Sequence, residues 1–158
     1  MNSVGSSNKG TIIKQLAILL SIVLSILSLS ACGTSFAPNE ETTMQELKMK
    51  IDGQEHPVIW EDNESVQALM ELVSKEPITV EMSMYGGFEQ VGPLGTSLPR
   101  NDVQITTQAG DIVLYSGNQI VVFYGSNSWA YTRLGNIDLP QQKMIDLLSN
   151  GDVTITLE

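Results

Sequence analysis

The chain has 158 residues, with 18 Asp and Glu against 8 Lys and Arg, for a formal net charge of −10. So acidic a surface is repelled by phosphate backbones and anionic headgroups, which excludes nucleic acid as a partner. One cysteine and one histidine leave no inventory for a disulfide framework, a His/Cys metal cluster or a histidine-based nucleophilic triad.

Residues 1 to 15 are polar, with Lys9 and Lys14 and no acid. Leu16 to Leu29 is Leu, Ile, Val and Ala interrupted only by Ser, and Ser30-Ala31-Cys32 follows. A basic start, an apolar middle and small residues before a break predict a secretory signal over 1–31. Leu29-Ser30-Ala31-Cys32 resembles the lipobox of bacterial lipoproteins, and the resemblance implies cleavage before Cys32 and diacylation of its thiol. An uncleaved anchor is the alternative, because Ile12 to Ala31 is long enough to span a bilayer. Either way the rest of the chain faces out of the cytoplasm, and lipidation at Cys32 attaches it to the bacterial cell membrane. Removing 31 residues leaves 158 − 31 = 127, enough for one domain with a core. The charge of that part is 6 − 18 = −12, since both lost charges are lysines.

Cys32 and the polar, Pro38-containing run to Thr43 form a flexible tether with a reach of about 17–20 Å. The folded domain is expected over 44–158. Leu47, Met49 and Ile51 alternate with charged residues as a strand, and Asp52-Gly53 turns it back into His56 to Trp60. Asn63 is placed to cap a helix whose inward face is Val66, Leu69, Met70 and Val73, ended by Pro77. Ile78 to Met84 alternates as one strand with a clear inside. Gly86-Gly87 makes a bend, and Val91 to Asp102 reads as a loop. Val103 to Thr107 is a short strand.

The central element is a hairpin. Ile112 to Tyr115 and Gln119 to Tyr124 flank Ser116-Gly117-Asn118, and the unbroken apolar run Ile120-Val121-Val122-Phe123 predicts burial on both faces. Ser126 to Thr132 reads as polar loop carrying Trp129 and Tyr131. A second helix begins near Pro140 and stops at Asn150-Gly151, and Val153, Ile155 and Leu157 form a last strand. Most of the methionines read as core filler.

The run GDIVLYSGNQIVVFYG, with LGNI after it and MKIDGQEHPVIWEDNESVQALMELV before it, resembles the bacterial cyclophilin-like domain proteins. The resemblance covers Met44 to Glu158. It implies a mainly β fold, a closed β-barrel of about eight strands with two capping helices. It also raises prolyl isomerisation. Isomerising cyclophilins use an arginine in a Phe-x-Arg context, a Gln-Gly-Gly-Asp stretch and a pocket with Phe, Trp and His. Here Arg100 and Arg133 lack that context, and Gly86-Gly87 lacks the flanking Gln and Asp. No GxGxxG or P-loop pattern occurs, and neither a cofactor nor a metal is expected.

The remaining candidates are Glu89, Arg100, Trp129 and Tyr131, recognition groups placed in loop-like segments around the hairpin. A plainer reading has Trp129 and Tyr131 closing the barrel end and Arg100 paired with Asp102. The expected function is a non-catalytic module that binds a peptide, a small molecule or an envelope protein. The alternatives are an unconventional prolyl isomerase and a structural envelope subunit.

Overall fold

The computed structural model describes residues 46–158; the expected signal peptide, Cys32 and the tether lie outside the described residues. Eleven strands and two helices follow in order: β1 (Met49–Ile51), β2 (Gln54–His56), β3 (Val58–Trp60), α1 (Glu64–Val73), β4 (Ile78–Glu81), β5 (Ser83–Tyr85), β6 (Glu89–Pro93), β7 (Val103–Thr106), β8 (Asp111–Tyr115), β9 (Gln119–Phe123), β10 (Ser128–Ile137), α2 (Gln141–Leu148) and β11 (Thr154–Leu157). They form two sheets. One has the order β2-β1-β11-β4; the other runs β3-β10-β8-β9-β6-β5, with β7 added on β10.

The β8–β9 hairpin lies where its apolar run places it. Ile112, Leu114, Ile120 and Val122 join a large core with β1, β11 and both helices. Val113, Val121 and Phe123 point to the other side, where a smaller cluster forms with Tyr131, Phe88, Val91 and Ile105. Alternate residues of one strand thus serve two separate cores. In the turn, the left-handed backbone falls on Ser116 (φ 53°) and Gly117 (φ 79°). Asp52 and Gly53 both take positive φ in the two-residue β1–β2 loop, the conformation that matches the twist of a tight hairpin.

The expected closed barrel is not formed: no sheet closes on itself. The ladder is interrupted at two corners where the chain leaves one sheet for the other. Pro57 separates β2 from β3 and has no N–H to give a ladder, so the expected strand His56 to Trp60 is split; β2 pairs β1 while β3 pairs β10. The second corner is Met82. Its N–H bonds Val153 O at 2.9 Å, and the next inward N–H, of Met84, is taken by the Asp152 carboxylate at 2.9 Å. Beyond Glu81 the chain therefore leaves β11 and pairs β6 as β5. Met84, expected inside, is exposed as a result. Gly92 on β6 permits the close approach at this corner, since a Cβ there would lie 2.5 Å from both Val80 Cγ1 and Met82 Sδ.

Two further expectations change. The start of the supposed loop at Val91 belongs to β6, which pairs β9 from Glu89 to Pro93. The supposed loop Ser126 to Thr132 is mostly strand: β10 pairs β7 through Ser128–Tyr131 and β8 through Thr132–Asn136. A polar sequence hid both strands, because their hydrogen-bond partners lie far along the chain.

The helices agree with their capping signals. The Asn63 side chain accepts the Val66 N–H at 3.0 Å and donates to Arg133 O at 2.8 Å, fastening the start of α1 to β10. Helix α2 follows Pro140 and buries Met144 and Leu148. Gln90, on the inner face of β6, donates to Leu148 O at 2.8 Å and Gly151 O at 2.7 Å, so the end of α2 is held by a buried amide.

Phe123 is fully buried and central to the second cluster. Phe123→Ala is expected to destabilise the fold by about 3–5 kcal/mol through lost burial and a residual cavity. Equilibrium denaturation measures this; a loss below about 1 kcal/mol would mean that the outer cluster contributes little.

Candidate functional site

The outer face of the larger sheet carries the small cluster, and beside that cluster lies a cavity of about 400 Å³. Period-two alternation decides its lining. Glu89 and Val91 come from β6, Gln119 and Val121 from β9, Tyr115 from β8, Tyr85 from β5, and Trp129 and Tyr131 from β10, with Asn127 just before it. Tyr85 stands directly opposite Glu89 in the β5–β6 ladder, and Tyr115 opposite Gln119 in the β8–β9 ladder. A cavity of this size, lined by four aromatic rings, two valines and three polar groups, has the usual character of a small-ligand site.

Exposure separates floor from rim. Tyr131 and Val121 are buried, whereas Tyr85 is 67% and Trp129 56% exposed. The Tyr131 ring meets Phe123 edge-on at 5.7 Å and Tyr115 at 6.0 Å, the arrangement favoured by aromatic quadrupoles. Asn127 Nδ2 donates to Tyr131 Oη at 3.0 Å. The first half of β10 leaves β8 to pair β7, which is how Trp129 and Tyr131 come to overhang the sheet.

Glu89 is the chemically distinctive group. It is only 6% exposed, and among the described residues its Oε2 finds no hydrogen-bond partner. Burial raises its pKa from 4.5 to about 7, because a carboxylate loses solvation in an apolar wall. Burial also raises the Tyr131 phenol, with the nearby Glu89 charge acting in the same direction and the Asn127 hydrogen bond opposing. Contrast Asp111, which is equally buried but saturated: its Oδ1 accepts from Arg133 Nη1 at 2.8 Å and Asn136 Nδ2 at 3.0 Å, and its Oδ2 from the Gln108 N–H at 3.0 Å.

Of the four sequence candidates, the fold brings Glu89, Trp129 and Tyr131 together. All three lie on strands, not in loops. Arg100 is elsewhere: it lines a groove with Glu61, Glu64 and Arg133 near the start of α1, and its Nη1 pairs with Asp102 at 3.3 Å. Tyr85, Tyr115, Gln119 and Asn127 were not singled out from sequence. The signal that existed was parity: Tyr115 shares its face with Val113, and Gln119 with Val121. Among the described residues no group of three or more His, Cys, Asp or Glu side chains is gathered to hold a metal ion. His56 ends the edge strand β2; its Nε2 is buried and finds no partner among the described residues, and burial lowers its pKa.

The Glu89 carboxyl has a consequence for stability. Between about pH 4.5 and 7 the folded chain holds a proton that the unfolded chain has released. Stability therefore falls as pH rises through that window, by up to about 3 kcal/mol. Glu89→Gln is expected to remove this loss, leaving the variant more stable than wild type near pH 8 and equal to it near pH 4. Unfolding curves at the two pH values decide; equal pH dependence in both proteins would place the titration elsewhere.

The comparisons with known proteins come to one finding. The sequence model described as the Cyclophilin-like family matches residues 49–158, well over half of the chain. No curated protein and no solved structure matches. The match spans every strand and both helices, from β1 to β11, and the chain belongs to the cyclophilin-like family.

Proposed function

We propose that this protein is an extracytoplasmic binding module, held at the bacterial membrane by lipid on Cys32, which takes its ligand in the aromatic cavity beside Glu89. The observation that carries the reading is that cavity: four aromatic rings and one buried, unpartnered carboxylate converge on about 400 Å³. An unpaired polar atom in such a place costs stability unless a ligand completes it. A fold that retains one at the bottom of an open aromatic cleft is arranged for binding.

The isomerase alternative is weakened by the position of Arg100. Accelerating prolyl rotation requires a donor fixed beside the twisting amide together with an apolar wall for the ring. Here the aromatic wall is on the outer face of the large sheet, while Arg100 lies in another groove and faces Asp102. The reading as a structural envelope subunit rests on a broad apolar patch. The exposed Ile59 and Val103 lie on β3 and β7, different strands of the sheet.

Three measurements test the proposal. Labelled fatty acid is expected to enter the wild-type protein and not Cys32→Ala, which accumulates as a larger precursor; equal labelling would overturn the lipid anchor. In a proline-peptide isomerisation assay the protein is expected to give no acceleration. Ligands that bind are expected to quench Trp129 fluorescence, a signal that Trp129→Phe removes while Trp60 remains. Acceleration that disappears in Arg100→Ala would make the protein an isomerase and Arg100 its catalytic residue.

A further inference from the structure

We infer that the cavity is built for a small organic cation, an alkylated ammonium group enclosed by Tyr85, Tyr115, Trp129 and Tyr131 over the Glu89 carboxylate. The inference rests on the proposed binding role of this cavity and specifies the chemistry of its ligand.

The composition of the lining selects the charge. Aromatic faces carry negative electrostatic potential, and Trp and Tyr attract a desolvated cation more strongly than an aliphatic wall does. Here the four rings come from β5, β8 and β10. Among the described residues, neither Lys, Arg nor His lines the cavity, and Glu89 is its sole acid. An anion would meet that carboxylate with nothing to balance it. A neutral guest would leave Oε2 to a single hydrogen bond. A cation satisfies carboxylate and rings together. The chain's charge of −10 further concentrates cations near the surface.

The same lining argues against a metal ion. Calcium and magnesium need several oxygen ligands, and one carboxylate beside tyrosine faces does not supply them. A bulky alkylammonium needs few directed bonds, and its methyl groups pack on ring faces and on Val91 and Val121. Gln119 remains for a polar substituent.

Occupancy then couples to protonation. Glu89 stands directly opposite Tyr85 on β5 and Phe123 on β9, and its charge acts on the Tyr131 phenol from β10, while Tyr115, Gln119 and Val121 line the cavity further along the ladder. Burial moves the Tyr131 phenol upward, away from neutrality. With the site empty, a proton neutralises Glu89 until about pH 7. A bound cation takes the place of that proton. Affinity for the cation is therefore full above neutrality and falls as pH drops.

Three probes of matched branched shape test this on the full-length protein: choline, its neutral carbon isostere dimethylbutanol, and anionic dimethylbutyrate. Binding is measured by calorimetry and Trp129 fluorescence near pH 8 and near pH 5.5. Choline is expected to bind on the order of tenfold more tightly than the neutral isostere near pH 8, with the preference largely lost near pH 5.5. Glu89→Gln is expected to reduce the preference to the share owed to the rings, with no pH dependence left, and still to bind the neutral alcohol. Binding of the alcohol or the anion as tightly as choline would overturn the inference and leave the cavity a binding site of other chemistry. A choline preference unchanged in Glu89→Gln, or no binding of choline at millimolar concentration, would also overturn it. Failure of all three probes and of proline peptides to quench Trp129 would instead count against the binding role itself.

Discussion

Burial of the β8–β9 hairpin on both faces is the constraint on which the rest depends. A strand ordinarily faces one core and solvent. Here Ile120 and Val122 point into the main core while Val121 and Phe123 point out, and neither side is left wet. The outer side needs a cover. Phe88 and Ile105 supply part of it, and Tyr131 leans its ring edge onto Phe123. That cover is incomplete where Trp129 and Tyr85 stand apart, and the cavity is the remainder. Cavity and second core are thus two parts of one arrangement.

The division of the ladder into two sheets serves the same geometry. At Pro57 and at Met82 the chain changes sheet, so each long segment contributes one end to either layer. The change at Met82 sends β5 out alongside β6, and this places Tyr85 across from Glu89. On the far side, β10 pairs β8 through its second half and β7 through its first. The bulge between Arg133 and Gly135 lies beside the Asp111–Arg133 ion pair, which fixes the strand before it departs. Asp111 is fully buried and Arg133 partly exposed, so removing Arg133 would leave a buried carboxylate short of its charged partner, which is costly.

Asp111 and Glu89 show how environment divides two acids of the same chain. Asp111 receives three donors and a neighbouring charge, and its burial is fully compensated. Glu89 receives an aromatic wall and a free oxygen, and its burial raises its affinity for a proton. Structural carboxylates resemble the first. The second is the pattern on which the proposed binding role rests.

Much of this was determined by local sequence. The β1–β2 turn at Asp52-Gly53, the Asn63 cap and the two-faced hairpin all follow from interactions within a few residues, where φ preference and periodicity act directly, whereas α1 ends at Val73, before Pro77 acts on it. The family is legible on the same grounds, because its blocks are strands and turns in a fixed order. Neither β6 nor the first half of β10 was legible, since Glu89-Gln90 and Ser128 to Tyr131 have no apolar period and become strands only through partners far along the chain. Closure was also misjudged: Pro57 marks a ladder break only once it is known which strands its neighbours pair with. For the site, sequence named Glu89, Trp129 and Tyr131 by residue type alone. Tertiary pairing decided that these three meet, that Tyr85 and Tyr115 join them, and that Arg100 does not, because cross-strand register sets which side chains share a face.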